Sequence, residues 1–163
     1  MKDKIVIRAA RRNDIDGIFS LIRDLADHEE ALPLLVLTRA SLRRELFRQP
    51  RLVFCLVATV NGRIVGTALW FYSYSALRGR WLLFVENLFV QPTYRGAGIG
   101  RNLLAHVADR AIRARCAGML WLARNSNKRA ISFYESLAAR RHLGSCQFVL
   151  VGKPLRTLAA RAR

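Results

Sequence analysis

The sequence lacks the residue patterns that mark disulfide-rich, metal-binding or membrane-spanning proteins. It has only three cysteines in 163 residues, an odd number without Cys-x-x-Cys spacing. Its three histidines have no Glu or Cys partners at metal-ligand spacing, and no His-Glu-x-x-His motif occurs. No apolar run approaches the roughly 20 residues that a membrane helix needs. We therefore expect no bound metal, no disulfide scaffold and no membrane partner.

Acidic residues are scarce as well. The chain has 11 Asp and Glu against 28 Lys and Arg, a formal net charge of +17. Residues 1–30 contain seven of the acids, so residues 31–163 carry four acids and 22 basic residues. A surface of this charge attracts anions such as nucleic acid or a phosphorylated cofactor. Because Arg outnumbers Lys 24 to 4, a bias in genome composition explains the charge equally well.

The overall composition is that of one globular domain. Hydrophobic residues make up 52% of the chain, which is ample for a core, and no repeat or low-complexity linker divides it. We expect residues 1–163 to form a single domain, with a basic tail that frays from about residue 153. The charged N-terminal segment has no apolar signal region, which predicts a cytoplasmic location.

Hydrophobic periodicity predicts the element order β-α-α-β-β-β-α-β-α-β, an α+β or mixed α/β fold. A strand at 5–8 precedes a helix over 14–28 and a shorter helix capped by Thr38. Three strands follow at 52–60, 64–74 and 81–90. Asn61-Gly62 is a hairpin signal, and the short connections make this meander antiparallel.

The remaining predicted elements are a helix over 101–116, a strand at 119–123, a helix capped by Asn127 and a last strand at 147–151. Cys55 and Cys116 lie in apolar surroundings, which is typical of small buried hydrophobic residues.

The most informative segment is Arg95-Gly96-Ala97-Gly98-Ile99-Gly100, directly before a predicted helix. Glycines allow positive φ and a close approach of ligand to backbone, and a helix start offers unpaired N–H groups. Together they predict a cradle for phosphate or pyrophosphate, to which Arg95 and Arg101 add positive charge. The spacings of nucleotide-binding P-loops and of dinucleotide folds are absent. A Gly-rich turn that binds nothing is the alternative.

This motif resembles the acyl-CoA signature of the GNAT (Gcn5-related) N-acetyltransferases. The similarity runs from Val6-Ile7-Arg8, through residues 21–26 and 86–90, to Ile131-Ser132-Phe133-Tyr134. Within that span it is greatest with the diamine (spermidine/spermine) N-acetyltransferases. The resemblance implies a GNAT-like central mixed sheet with splayed strands and flanking helices, acetyl-CoA as co-substrate and a homodimer.

The same resemblance implies a role for each site residue. The pantetheine arm of the co-substrate is expected between the splayed strands, where it pairs with backbone groups of Leu88 and Val90. The residues expected to bind acetyl-CoA are Leu88, Phe89, Val90, Arg95, Gly96, Ala97, Gly98, Ile99, Gly100, Arg101 and Asn127. The residues expected to bind the acyl acceptor are His28, Glu29, Glu86 and Asn87.

Glu86 and Tyr134 are the expected catalytic residues. Glu86 is the only acid between Glu45 and Asp109 and lies in an apolar run, where a carboxylate is costly unless it is paired or faces a wet cavity. The resemblance makes Glu86 the acceptor of the amine proton; an arginine salt bridge or an outward-facing position is the alternative. Tyr134 lies on an apolar helix face, so a core tyrosine competes with the general acid that the resemblance implies.

The sequence departs from the diamine enzymes around the acceptor. Asn87 stands where they have a second acid, residues 143–147 lack their acidic and Trp-containing stretch, and Ala138-Ala139 replaces a glycine. Long polyamines are cations that need carboxylates, so these departures favour a shorter or less charged amine.

We therefore expect an N-acetyltransferase that acts on a primary amine of a small molecule, such as a diamine or polyamine or an amino-acid analogue, by direct attack in a ternary complex. A protein or peptide acetyltransferase on the same fold is the second hypothesis. A non-enzymatic module that binds nucleic acid through its basic surface is the third.

Overall fold

The computed structural model describes residues 4–142, 150 and 152–160. The chain divides into two compact units, residues 1–122 and 123–163, which we describe separately. The strand predicted at 147–151 lies outside the described residues except for Leu150, and Cys146 lies outside them too.

The first unit is built on a mixed five-stranded sheet with the order β1-β2-β3-β4-β5. The strands are β1 (Ile5–Ala9), β2 (Phe54–Val60), β3 (Arg63–Ser75), β4 (Arg80–Val90) and β5 (Met119–Trp121). The pairings β1–β2, β2–β3 and β3–β4 are antiparallel, and β4–β5 is parallel. The predicted mixed α/β fold and its antiparallel meander are confirmed.

Local turn and cap chemistry sets the boundaries of several elements. Asn61 and Gly62 adopt positive φ angles of 48° and 83°, the conformation that a two-residue hairpin between β2 and β3 requires. The Thr38 hydroxyl accepts a hydrogen bond from the Ser41 amide at 3.1 Å and caps helix α2 (Arg39–Phe47). The sequence predicted both features because each depends on neighbouring residues only.

The two faces of the sheet are covered by different helices. Helix α1 (Ile15–His28) packs with α2 over the face that carries Leu69, where Ile15, Ile18 and Leu42 are buried. Helix α3 (Ile99–Arg113) covers the opposite face. A Cβ built on Gly66 in β3 would lie 3.3 Å from Cδ1 of Leu103 in α3, so the helix packs directly on this part of the sheet. We call these the α1 face and the α3 face.

One helix prediction needs correction. Helix α3 begins at Ile99 rather than at Arg101, because Gly98 already acts as its N-cap residue.

The second unit contains helix α4 (Lys128–Glu135) and helix α5 (Gly152–Ala159). The Asn127 side chain accepts a hydrogen bond from the Ala130 amide at 3.0 Å, so the predicted cap of α4 is confirmed. The sequence analysis assigned no helix to the segment that forms α5. Across the described parts of both units, no helix is long and apolar enough to cross a membrane.

A buried ion pair ties the first strand to the first helix. The Arg8 guanidinium donates to both carboxylate oxygens of Asp14, at 2.6 and 2.9 Å, and the Arg11 amide donates to the same carboxylate at 2.6 Å. Asp14 is 5% exposed and directly precedes α1. The hydrogen bond from Arg8 holds the pKa of this carboxyl below its usual value, although burial opposes that shift.

We expect Asp14→Asn to lower the free energy of unfolding by about 1–3 kcal/mol near neutral pH, since it removes a buried charge partner of Arg8. Because the pKa of Asp14 is lower in the folded chain, its contribution is complete above its unfolded pKa of about 3.9 and is lost as pH falls through its folded pKa. Urea unfolding at a series of pH values measures this. The two proteins should converge in acid.

The matched control for this prediction is Asp16→Asn. Asp16 pairs with Arg39 at 2.7 Å, but both side chains are exposed, so its loss should cost less than about 1 kcal/mol. Equal losses in the two variants would contradict the prediction.

Candidate acyl-transfer site

The candidate site lies where the parallel pairing between β4 and β5 ends. The pairing between β4 and β5 covers three positions and ends at Val85 and Trp121. Beyond that point β4 continues for residues 86–90, which still pair with β3 on the other side from Asn87 onwards. Within the described chain, no strand pairs with the outer side of this part of β4. The outer edge of β4 therefore borders a gap in the strand pairing from residue 86 onwards, because β5 itself ends at Trp121.

The backbone of β4 directs hydrogen-bonding groups into this gap. The Gln91 amide donates to the carbonyl of Val65 in β3 at 2.9 Å. Backbone groups of successive strand residues point to opposite edges, so Leu88 and Val90 direct their N–H and C=O groups away from β3. An extended ligand can add to this edge as an extra strand.

A β-bulge lies at the start of the gap. Asn87 pairs with Leu69 and Val85 with Trp70, so Glu86 is an extra residue on β4. A bulge disrupts strict alternation and re-aims side chains. Glu86 is exposed and the neighbouring Asn87 is 8% exposed. Glu86 is therefore not a buried charge, because the bulge leaves its side chain exposed to solvent; its catalytic role stays a prediction.

The glycine-rich segment joins the end of β4 to the start of α3. Gly96 and Gly98 have φ angles of +87° and +76°, a left-handed conformation that side chains rarely adopt. A Cβ built on either residue meets no atom within 4 Å, so open space lies in front of both. Gly98 has no side chain with which to cap α3, and the first turn of an α-helix presents N–H groups that a ligand can bind. These features fit a pyrophosphate group.

Arg95 is held at the bend between the strand and this loop. Its Nε donates to the Val90 carbonyl at 3.0 Å, and its guanidinium lies 5.5 Å from the centre of the Phe89 ring. The structure thus brings together Leu88, Phe89, Val90 and Arg95 beside the glycine loop. Arg101 is exposed in the first turn of α3. The local field at this end of β4 is positive.

His28 and Glu29 lie at the C-terminal end of α1 in the same unit. His28 occupies the last helical position, and Glu29 is the C-cap residue, whose amide donates to the Leu25 carbonyl at 2.9 Å. His28 is exposed and Glu29 is half-buried.

Asn127 and Tyr134 belong to the second unit. The Asn127 side chain caps α4, as described above. Tyr134 is half-buried, follows the buried Ile131 by one helical turn, and its ring centre lies 5.3 Å from that of Phe133. Ala138, after α4, adopts a φ of +62°, which a glycine would adopt at lower cost. Ala138 thus holds a left-handed turn position in which a glycine would be less strained.

Neither of the two cysteines that the structure describes is activated as a nucleophile. Burial raises the pKa of the Cys55 thiol to about 12, and its Sγ lies 3.2 Å from the Thr67 hydroxyl. Burial also raises the pKa of Cys116. In the described ranges, no group of three or more His, Cys, Asp or Glu side chains could hold a metal ion.

Sequence reasoning missed one feature beside the bulge. Phe71 and Phe84 pair across β3 and β4, with ring centres 5.0 Å apart in a stacked arrangement, and both are half-buried. Phe71 shares the α1 face with Leu69, two residues earlier on β3. The strand register, which the sequence does not fix, is what places this ring pair near Asn87.

Comparisons with known proteins agree on one family. The model of the acetyltransferase (GNAT) family matches residues 18–139. A thialysine N-epsilon-acetyltransferase from Bos taurus is 32% identical over 144 residues, covering 83% of this chain and 84% of that protein. Spermidine/spermine N(1)-acetyltransferase-like protein 1 from Homo sapiens is 34% identical over 144 residues, covering 84% of this chain and 21% of that protein.

Solved structures show the same fold. An integron cassette protein from the mobile metagenome of V. cholerae superposes with a TM-score of 0.78 at 22% identity, covering 95% of this chain and 97% of its own.

Proposed function

Because the chain belongs to the acetyltransferase (GNAT) family and is an N-acetyltransferase, we propose that it transfers an acetyl group from acetyl-CoA to the primary amine of a small molecule. The observation that carries this proposal is the open edge of β4 ending in a glycine loop with left-handed Gly96 and Gly98. An extended arm with a pyrophosphate at one end matches this arrangement.

In this proposal the backbone groups of Leu88 and Val90 pair with the pantetheine arm, and the amides at 96–101 bind the pyrophosphate. Phe89, Arg95 and Asn127 complete the set of co-substrate contacts. The fit is supported by the uncapped start of α3 and by Arg95, which is anchored on Val90. Arg95 and Arg101 offset the charge of the phosphates.

The proposed chemistry is direct attack in a ternary complex. The lone pair of the neutral amine attacks the thioester carbonyl, a C–N bond forms, and the C–S bond breaks. Glu86, through water, takes the proton that the amine loses, and a backbone N–H near Leu88 stabilises the tetrahedral oxyanion. Tyr134 donates its hydroxyl proton to the departing CoA thiolate. The exposure of Glu86 leaves room for the bridging water.

The proposed acceptor is a small amine of low charge, such as an amino-acid analogue. The relatives named above act, by their names, on thialysine and on spermidine or spermine. Asn87 supplies no negative charge beside Glu86, which favours an acceptor of the first kind over a long polycation. His28 and Glu29, at the end of α1, are the further acceptor contacts in this proposal. A single domain, a homodimer and a cytoplasmic location stay predictions.

A coupled thiol-release assay tests the function directly. With acetyl-CoA and a panel of primary amines, we expect CoA release that depends on the amine and is faster with lysine-like amino acids than with spermine. Mass spectrometry should find the acetyl group on the free amine. Acetylation of protein lysines without turnover of any free amine would contradict the proposal, and spermine as the best acceptor would contradict the role given to Asn87.

The glycine loop gives a sharper test. Gly98→Ala places a methyl group in the space proposed for the pyrophosphate and strains a φ of +76°. We expect the KM for acetyl-CoA to rise about tenfold or more, with little change in the KM for the amine.

Gly79→Ala is the matched control for this substitution. It strains a φ of +59° in equally open surroundings, but in the turn between β3 and β4, at the opposite end of β4 from the glycine loop. Both variants should lose similar stability in thermal unfolding. An equal rise in the KM for acetyl-CoA in both would show that strain, not the loop, is responsible.

Replacing the proposed base should change the pH dependence of the rate. The Glu86 carboxylate is proposed to accept the amine proton, which an amide side chain cannot do. Glu86→Gln should therefore lower kcat/KM about 100-fold and change the shape of its pH profile. Glu45→Gln on α2, where the carboxylate pairs with Arg44 and Arg48, serves as the control. A profile with the same shape in the Glu86 variant would remove Glu86 as the base.

A further inference from the structure

One end of the sheet in the first unit carries exposed arginines and aromatic rings that the proposed function does not use. The turn between β3 and β4 lies at this end, whereas the glycine loop follows the opposite end of β4. The end of β1 and the start of β2 lie at the same end as the turn, because Ala9 pairs with Leu56 and Phe54 with Trp70. We call this surface, made of residues 11–12, 48–51 and 74–81, the hairpin end of the sheet.

Two aromatic rings are exposed on the β3–β4 hairpin. Tyr74 and Trp81 are cross-strand partners, and their ring centres lie 5.4 Å apart in an edge-to-face arrangement. Their exposed fractions are 56% and 52%, and Leu77, in the turn between them, is 94% exposed. Aromatic side chains contribute much of the energy of interfaces when they are covered. A ring pair that is fixed in position but left half in solvent therefore indicates a binding surface.

The hairpin is also positively charged. Arg78 lies in the turn and Arg80 is the first residue of β4, and both are exposed. Residues 46–85 contain no acid. Within the described part of the chain, neither arginine forms a salt bridge. Both guanidiniums are therefore available to an anion from outside the chain.

A second pair of arginines lies at the same end of the sheet. The guanidiniums of Arg12 and Arg51 lie 5.2 and 6.0 Å from the centre of one ring, that of Phe47 at the end of α2. The two charges are thus no more than about 11 Å apart, and they repel each other at this distance. The acids Asp14 and Glu45 are already paired with other arginines. A bound anion would relieve this repulsion.

Cationic groups next to exposed aromatic rings match the chemistry of single-stranded nucleic acid. Guanidiniums bind phosphates through paired hydrogen bonds, and bases stack on aromatic rings whatever their sequence. A second copy of the chain fits poorly, because it would bring the same arginines against each other. A lipid bilayer also fits poorly. Leu77 is the one large aliphatic side chain of residues 74–81, and even a whole myristoyl chain alone gives only marginal membrane binding.

We propose that the hairpin end of the sheet binds single-stranded nucleic acid, with bases stacked on Tyr74 and Trp81. The phosphates are bound by the guanidiniums of Arg12, Arg51, Arg78 and Arg80. This is a second function of the chain. It does not rest on the proposed acetyl transfer, because none of these residues belongs to the acyl-transfer site.

Fluorescence anisotropy with labelled oligothymidylate and oligouridylate of about 20 nucleotides tests the proposal, and binding of either one supports it. Each phosphate contact on a single strand contributes about −0.7 to the slope of log K against log salt, so four contacts predict a slope of about −3. Arg78→Gln combined with Arg80→Gln should make the slope less steep by about 1.4. Trp81→Ala should weaken binding about tenfold without changing the slope. Absence of binding at about 50 mM salt would overturn the proposal.

The matched control removes the same charge from the other end of the sheet. Lys4 precedes β1 and Arg63 begins β3, and both are exposed there, because Val60 pairs with Ile5 and with Arg63. Lys4→Gln combined with Arg63→Gln should leave the affinity and the slope nearly unchanged. An equal loss in the two double variants would show that net charge, not this surface, binds the strand, and the proposal would be wrong.

Competition distinguishes the hairpin end from the other candidate anion sites. Saturating acetyl-CoA should not displace the oligonucleotide, since the glycine loop lies at the opposite end of β4. Displacement would place the strand on the glycine loop and overturn the proposal, as would tighter binding to phosphatidylserine vesicles than to either oligonucleotide. The Arg78 and Arg80 double variant should keep the wild-type rate of acetyl transfer. A lower rate would place these arginines in the acyl-transfer site instead.

Discussion

The site depends on one constraint, the end of strand pairing between β4 and β5. A strand inside a sheet has its N–H and C=O groups satisfied on both edges, whereas an edge strand presents a row of groups to any partner that can match them. Among the described residues, β4 is an internal strand up to Val85 and an edge strand beyond it. Because the glycine loop begins at the end of the same strand, the open edge and the helix start proposed to bind the pyrophosphate follow each other along the chain. Under the proposed function, the pantetheine arm and the pyrophosphate of acetyl-CoA can therefore bind to this strand and this loop at the same time.

The sequence predicts those parts of the fold that depend on neighbouring residues. Asn61-Gly62, Thr38 and Asn127 each fix a turn or a cap through their own backbone preferences or side-chain hydrogen bonds, and all three appear as expected. The Gly98 conformation belongs to the same class. These features need no knowledge of the rest of the chain, because their energies come from contacts within about four residues.

The features that were missed depend on how two strands meet. The bulge at Glu86 exists because the registers of β3 and β4 differ by one residue on its two sides, and no local pattern in β4 specifies that shift. With strict alternation, Glu86 would lie in an apolar strand as a costly buried charge. The bulge instead exposes it and buries Asn87. The same register places the Phe71–Phe84 pair beside them. The chemistry of the candidate site was thus readable from residue types, but its geometry was not.

Charge distribution shows how one chain can meet two opposite requirements. Under the proposed function, a polyanionic co-substrate and a cationic acceptor must both bind to a chain of net charge +17. The sequence separates the two signs: residues 87–108 contain no acid, whereas residues 24–30 contain four. The first range holds the glycine loop and the start of α3, and the second forms the end of α1, where His28 and Glu29 lie. Long-range attraction therefore favours the co-substrate, and it is screened by salt. Recognition of the amine under the proposed function therefore has to come from short-range contacts, which salt screens much less.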